Sequence, residues 1–272
     1  MGRVVLSILK CLMLLICLAS ASMVRANEPM VLSFGITPQQ SAGELGKLWV
    51  PICQYLSKHT GLQIQFKTSK DLPTYWKDAN TGAFDLLYIT PYYFTKAQKA
   101  AGYRALAKDG GTPLVGIIVT RQDGPEEIEG LKGEKIAIHD VSAFMLAYVR
   151  YGFLKERGIQ IEPVGVGSLD SVYRTIDKGL YPAGISIQRA FGSLDPAMQA
   201  RFKVLWKSDP LPPFAYAVHP QVPPAAAEAV RSALLDMNNN PEGRALLATV
   251  NIQSIKAAKD SDFDSMRKLK LE

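Results

Sequence analysis

Short stretches of alternating apolar residues take turns along this chain with longer stretches whose apolar positions recur every three to four residues. In residues 30–36, Leu32, Phe34 and Ile36 share one face, the period of a half-buried strand. Ser41 and Glu44 then have the spacing of a capping box, and Leu45, Trp49, Ile52 and Leu56 follow at helical spacing until Gly61. Pro51 falls inside that helix and is expected to bend it or remove one hydrogen bond. Leu62, Ile64 and Phe66 alternate as a second strand. A short helix is predicted over 75–83, a third strand over 85–90, and a helix over 92–101 that Gly102 stops. A second unit begins near Pro113, with strands over 114–120, 135–139, 162–165, 183–187 and 203–207. Ser142 is placed as the cap of a helix over 144–157, and Ser168 as the cap of one that stops at Gly179. After Pro210-Leu211-Pro212-Pro213 comes a strand over 214–218. The remainder reads as helical, over 224–237 and, capped by Asn240, over 241–250.

Strands alternating with helices predict an α/β fold whose sheets are mostly parallel and flanked by helices. The extended runs 114–120 and 214–218 bracket a central block. They predict one lobe, 27–116 with 215–272, interrupted by an inserted lobe, 117–214. Two crossings make a two-strand hinge, and a hinge between α/β lobes makes a cleft.

Charge and cysteine content narrow the class. Residues 1–26 hold no acidic side chain. They open with Arg3, run through an apolar stretch and end in small residues, the order of a secretory signal peptide cut after Ala26. A retained anchor stays open, although the stretch is shorter than the roughly 20 apolar residues of a spanning helix. Cleavage would remove Arg3, Lys10 and Arg25 and no acid, taking the formal charge from +6 to +3. With no dense Lys/Arg cluster, that excludes a nucleic-acid footprint. Cys11 and Cys17 would leave with the leader, so Cys53 stands without an intrachain partner. His59, His139 and His219 are too scattered for a metal site, with His59 and His219 read as surface or turn residues. No cofactor motif and no nucleophile with a visible base appear, so the chain is not read as an enzyme.

Gly35-Ile36-Thr37-Pro38, the run 48–56 with Thr60-Gly61, Gly82-Ala83-Phe84-Asp85, Thr90-Pro91, Leu131-Lys132-Gly133, Gly167-Ser168 and Leu211-Pro212-Pro213 occur in an order and spacing with a family likeness. Together they resemble the phosphate/phosphite/phosphonate ABC-transporter binding proteins across nearly the whole chain after the leader. The resemblance implies a two-lobe type II periplasmic binding-protein fold and a small ligand clamped between the lobes. It also implies a periplasmic location and delivery to the membrane permease of an ABC transporter. A monomer is expected, since the lobes must open and close. The same fold can instead present its closed state to a receptor or sensor kinase, and sequence leaves that alternative open, along with a degenerate scaffold that binds nothing.

At the ligand positions the chain departs from the family. The Ser-Thr-Ser-like turn that holds the anionic group in the family reads Ser142-Ala143-Phe144. A family histidine after Gly-Ser is replaced by Leu169, and the aspartate expected within 179–183 is missing. Phe144 and Leu169 shift the pocket toward a less charged or larger organic solute, while a small polar ligand of the phosphonate-like or other oxyanion kind stays open. Strand carboxyl ends and helix starts remain the places where a ligand sits in such sheets. They give Thr37 and Gln39 after the first strand, Thr90 and Tyr92 after the third, His139, Ser142, Ala143 and Phe144 in the next turn, and Ser168. Lys70 is added because the resemblance places ligand-facing residues in its loop. For each, a plain structural role stays open: a cap for either serine, core for Tyr92, a loop position for Gln39.

Overall fold

The computed structural model describes residues 29–111, 113–269 and 271, the side chains of 152 and 153 excepted. The expected leader, 1–26, lies outside the described residues, and the fold below is that of the compact unit Val31–Glu272.

The chain begins β1 (Val31–Ile36), α1 (Ala42–Thr60), β2 (Gln63–Lys67), α2 (Leu72–Asn80), β3 (Leu86–Ile89), α3 (Pro91–Ala101) and β4 (Arg104–Gly110). It crosses to β5 (Gly116–Arg121), β6 (Lys135–Ile138), α4 (Phe144–Tyr148), β7 (Glu162–Gly165), α5 (Leu169–Asp177), β8 (Ala183–Ile187), α6 (Gln188–Gly192), α7 (Pro196–Gln199) and β9 (Phe202–Lys207). It returns as β10 (Ala215–Val218), α8 (Pro224–Asp236), α9 (Pro241–Thr249), β11 (Ser254–Ala257) and α10 (Asp264–Arg267). One sheet has the order β11-β4-β10-β3-β1-β2 and the other β7-β6-β8-β5-β9.

This is the two-lobe α/β architecture expected, but both sheets are mixed where mostly parallel ones were expected. β1 pairs in parallel with β2 and β3, and β6 with β7 and β8, but β10 and β5 are antiparallel to both their neighbours. Parallel neighbours need a crossover helix between them. β5 and β10 enter straight from the other sheet, so each runs against the strands beside it. The two crossing segments are tied together where Leu114 and Leu211 exchange backbone hydrogen bonds of 3.1 and 2.9 Å.

α1 forms as its pattern predicts. Leu45, Trp49, Ile52, Cys53, Tyr55 and Leu56 are buried along one side, and Gly61 ends the helix in the left-handed region, where a side chain would be strained. The helix runs through Pro51 without a break. Ser41 Oγ accepts the Glu44 N–H at 3.3 Å, but the Glu44 carboxylate pairs with Lys47 rather than reaching back, so only half the capping box is made. α2 starts three residues before the predicted position, because Asp71 caps it by accepting the Thr74 N–H at 2.8 Å and Pro73 suits its first turn.

Two strands escape the apolar pattern. β4 reads Arg-Ala-Leu-Ala-Lys-Asp-Gly, and β11, in a region expected to be helical, is four residues long and includes Lys256. Both stand at or near one side of the first sheet, where polar side chains are tolerated. The family-like residues have packing roles. Asp85 accepts from both the Ser33 N–H (2.8 Å) and the Ser33 hydroxyl (2.7 Å), clamping β3 to β1. A Cβ on Gly35 would lie 2.6 Å from the Phe84 ring, so only glycine lets that ring close over β1.

Candidate ligand-binding site

The carboxyl ends of β1, β3, β6 and β8 supply residues to one small cavity between the lobes. The first lobe contributes Thr37, Gln39, Leu72, Trp76 and Thr90, and the second His139, Ala143, Phe144, Met145 and Ile187. Leu114 and Phe214, in the two crossing segments, complete it. The cavity holds about 30 Å³, and no Asp, Glu, Lys or Arg lines it. Its aromatic walls are backed by tyrosines. Trp76 stacks on Tyr93 (centroids 3.6 Å apart), Phe144 on Tyr92 (5.6 Å) and Phe214 on Tyr88 (4.9 Å).

Thr37 is held by two bonds to the Tyr88 carbonyl, from its N–H at 3.1 Å and its hydroxyl at 2.7 Å. Thr90 begins α3 without making a capping bond. His139 closes β6 and is buried, and burial pushes its imidazole down to about 4, with the Asp140 carboxylate opposing. Among the described residues, six buried side-chain nitrogen or oxygen atoms lack a hydrogen-bond partner, and three belong to this cavity's lining: Trp76 Nε1, Thr90 Oγ1 and His139 Nδ1. Buried polar groups are normally paired, so their clustering at one cavity marks it as a place that accepts a partner.

The turn after His139 is arranged differently from the expectation. Ser142 does not cap the helix; Ala143 occupies the cap position and makes no side-chain bond. Asp140 Oδ1 instead accepts the Ser142 N–H at 2.8 Å and the Ser142 hydroxyl, an Asx turn that uses the donors an accepting ligand would have needed. The helix itself is shorter than the predicted 144–157, because after Tyr148 it widens into a π-helical stretch, Val149–Leu154.

Of the remaining sequence candidates, Tyr92 is buried behind Phe144 and supports the wall without lining the cavity. Ser168 caps α5, its hydroxyl accepting the Ser171 N–H at 3.1 Å and pairing with the Ser171 hydroxyl. Lys70 projects into solvent beside Asp71. Thr37, Gln39, Thr90, His139, Ala143 and Phe144 are therefore brought together, while Lys70, Tyr92, Ser142 and Ser168 are not part of the lining. His219 is a correction: it is buried at the end of β10, edge-on to Tyr103 at 5.1 Å. Burial pushes the Cys53 thiol up to about 12, as suits an inert core residue.

Beside the cavity the lobes share a charged contact that sequence reasoning missed. Arg189, just after β8, donates from Nη1 to Asp109 Oδ2 at 2.7 Å and to the Tyr88 hydroxyl at 3.2 Å. The Tyr88 hydroxyl in turn donates to Asp109 Oδ2 at 2.7 Å, and the guanidinium lies 5.2 Å from the Phe214 ring centre. Burial raises the Asp109 carboxyl above its ordinary value, with Arg189 opposing. Asp109 lies in the unpredicted β4, so no signal pointed to it. Trp76 and Arg189 carried weak signals: an Asp-Leu-Pro helix start before the first, and a strand end directly before the second. Among the described residues no helix is long and apolar enough to cross a membrane, and no group of three His, Cys, Asp or Glu gathers as a metal site.

Two lobes of mixed sheet, a double crossing and a cavity at the strand ends define a two-lobe binding protein of the type II periplasmic class. The family model described as "ABC transporter, phosphonate, periplasmic substrate-binding protein" matches residues 34–263, and the chain belongs to that family, one of binding proteins and not of enzymes. Among solved structures, it is similar to a binding protein component of an ABC phosphonate transporter from Pseudomonas aeruginosa (TM-score 0.78, 16% identity, 88% of this chain and 85% of that one). It is equally similar to PhnD1 from Prochlorococcus marinus in complex with methylphosphonate (TM-score 0.78, 14% identity, 89% and 97%). A histidine kinase sensor domain with similarity to periplasmic binding proteins shares the fold at TM-score 0.58 (16% identity, 85% and 100%).

Proposed function

We propose that this chain is an exported, monomeric receptor that captures a small solute in the cavity between its lobes and hands it to the membrane permease of an ABC transporter. The observation that carries this reading is the cavity itself, walled by both lobes and holding three buried polar atoms without partners. A solute that satisfies atoms on both lobes at once favours the closed arrangement over the open one, which is what a delivery signal requires. The two-segment hinge at Leu114 and Leu211 gives the lobes a common axis near the cavity. Lobes 27–116 with 215–272, and 117–214, are the bodies that would move, and the leader at 1–26 would direct export.

A thermal-shift screen of the purified protein against small solutes tests the proposal. A ligand at a hundred times its dissociation constant adds about 2.7 kcal/mol to stability. A stabilising solute supports capture, whereas stabilisation by none of a broad solute set contradicts it. The kinase sensor domain of the same fold favours one second reading, in which the closed state is presented to a receptor. A pull-down of the ligand-bound protein with permease or with kinase separates the two.

A further inference from the structure

We infer that the solute carries an oxyanion group, that Arg189 anchors it, and that Lys207 and Arg244 draw it into a wide interlobe cleft beside the small cavity. The inference rests on the capture reading above and names the ligand's charge and the residue that takes it.

Four observations lead to it. First, Arg189 follows the carboxyl end of β8 and lines a cleft of about 590 Å³, inside the range of about 300–1,000 Å³ usual for small-molecule sites. The second lobe supplies Arg189 and Lys207 to that cleft, the first supplies Arg244, and no Asp or Glu lines it. Among the described residues Lys207 has no acidic partner, and the Arg244 side chain donates to the Asn238 carbonyl at 3.2 Å. A cleft with three cations and no acid concentrates anions.

Second, Arg189 keeps donors in reserve. Its bonds to Asp109 and Tyr88 both leave from Nη1. Nε and Nη2 make no hydrogen bond among the described residues, and the side chain is 22% exposed. A guanidinium presents its N–H donors as a planar fork that matches two oxygens of an oxyanion. Burial raises the Asp109 carboxyl above its ordinary value, which eases sharing the guanidinium with a second anion.

Third, the other places are closed to an anion. Asp140 already takes the Ser142 N–H and hydroxyl, so the turn where the family resemblance puts the anionic group offers neither donor. Arg189 also lines a cavity of about 130 Å³ with Trp49, but Asp170 lines it too, and its carboxylate repels an oxyanion. The Lys207 side is left as the favourable one. Fourth, the small cavity adjoins the surroundings of Arg189. Leu114, Ile187 and Phe214 line both it and a space of about 20 Å³ that Arg189 lines, and the guanidinium lies 5.2 Å from the Phe214 ring centre. At about 30 Å³ the small cavity takes only an uncharged end of the solute, bonded by Trp76, Thr90 and His139, while the charge stays at Arg189.

The test is calorimetric titration at pH 7.5 with methylphosphonate, inorganic phosphate and sulfate as oxyanions, dimethyl methylphosphonate as an uncharged counterpart, and methylammonium as a cation. The inference expects binding of at least one oxyanion and of neither the ester nor the cation. Three variants, each checked for a cooperative melt, assign the contacts. Asp109→Asn leaves Arg189 charged and removes its competitor, so oxyanion affinity is retained or rises. Arg189→Gln added to Asp109→Asn leaves a neutral pair in the same place, and affinity is expected to fall by about tenfold or more. Lys207→Gln with Arg244→Gln, both at exposed positions, is expected to weaken binding about threefold and to flatten its salt dependence. It decides alone if the Asp109 variants do not fold.

If Arg189 only held the lobes together, Asp109→Asn would weaken binding as much as the Asp109→Asn/Arg189→Gln variant does, and that result overturns the anchor. Oxyanion binding that both double variants retain in full overturns the assigned contacts. Binding of the ester or of methylammonium without any oxyanion overturns the inference and leaves solute capture standing. No binding of any probe overturns the inference, and the broader thermal-shift screen then decides capture by itself.

Discussion

Arg189 and Asp109 come from different lobes and meet 2.7 Å apart, with the Tyr88 hydroxyl bonded to both. The Asp109 side chain is 5% exposed and that of Arg189 22%. The pair thus joins the second lobe to the first beside the cavity, where solvent screening is weak.

Removing one member leaves the other buried and unmatched. Arg189→Met is expected to destabilise the protein by about 3–5 kcal/mol, the cost typical of breaking a buried pair. Arg189→Met with Asp109→Leu should recover much of that loss, because the uncompensated carboxylate is gone. Urea unfolding of the two variants measures the difference. Equal stabilities would show that the carboxylate is not held as an isolated charge.

His139 gives the protein a pH dependence whose sign is fixed. Its imidazole is lowered from 6.5 to about 4 by burial. At pH above 6.5 the group is neutral folded or unfolded. As pH falls toward 4, the unfolded chain takes up a proton that the folded one refuses, so stability declines, by about 3 kcal/mol in total. His139→Gln is expected to flatten the profile over that window. Unfolding at pH 7 and pH 4.5 in both proteins checks it, and parallel profiles would contradict the assignment.

Gly35→Ala is expected to cost about 1–3 kcal/mol, the usual range for overpacking. The new methyl group would sit 2.6 Å from Phe84 Cγ, a ring held between Gly35 and Tyr75. Adding Phe84→Leu should return part of the loss. Thermal melts of the single and double variants measure this coupling.

Much of the fold could be read from the sequence because its signals are local. Ser41, Ser168 and Asn240 all accept the amide bonds their positions predict, and the alternating apolar runs became β1, β2, β6 and β8. β4 was not legible, since its alternation places Ala105 and Ala107 among Arg104, Lys108 and Asp109. Asp109 went unseen with it, because a buried carboxylate makes sense only beside an arginine eighty positions later. The site was half legible. Thr37, Thr90, His139 and Phe144 follow strand ends, and the strand-end rule finds them. Ser142 has the signature of a cap, but Asp140, two residues earlier, competes for it through a tighter local turn. Trp76 arrives from a helix flank that no strand-end rule reaches.

The most direct test of solute capture in this cavity is calorimetric titration of a stabilising solute into the wild type and into Ala143→Leu. Ala143 is buried in the lining, so the larger side chain occupies ligand space without touching the Arg189–Asp109 pair. With a cooperative melt confirming the variant's fold, the expected result is at least a tenfold loss of affinity, about 1.4 kcal/mol. Unchanged affinity in the folded variant would place the solute elsewhere and contradict the account.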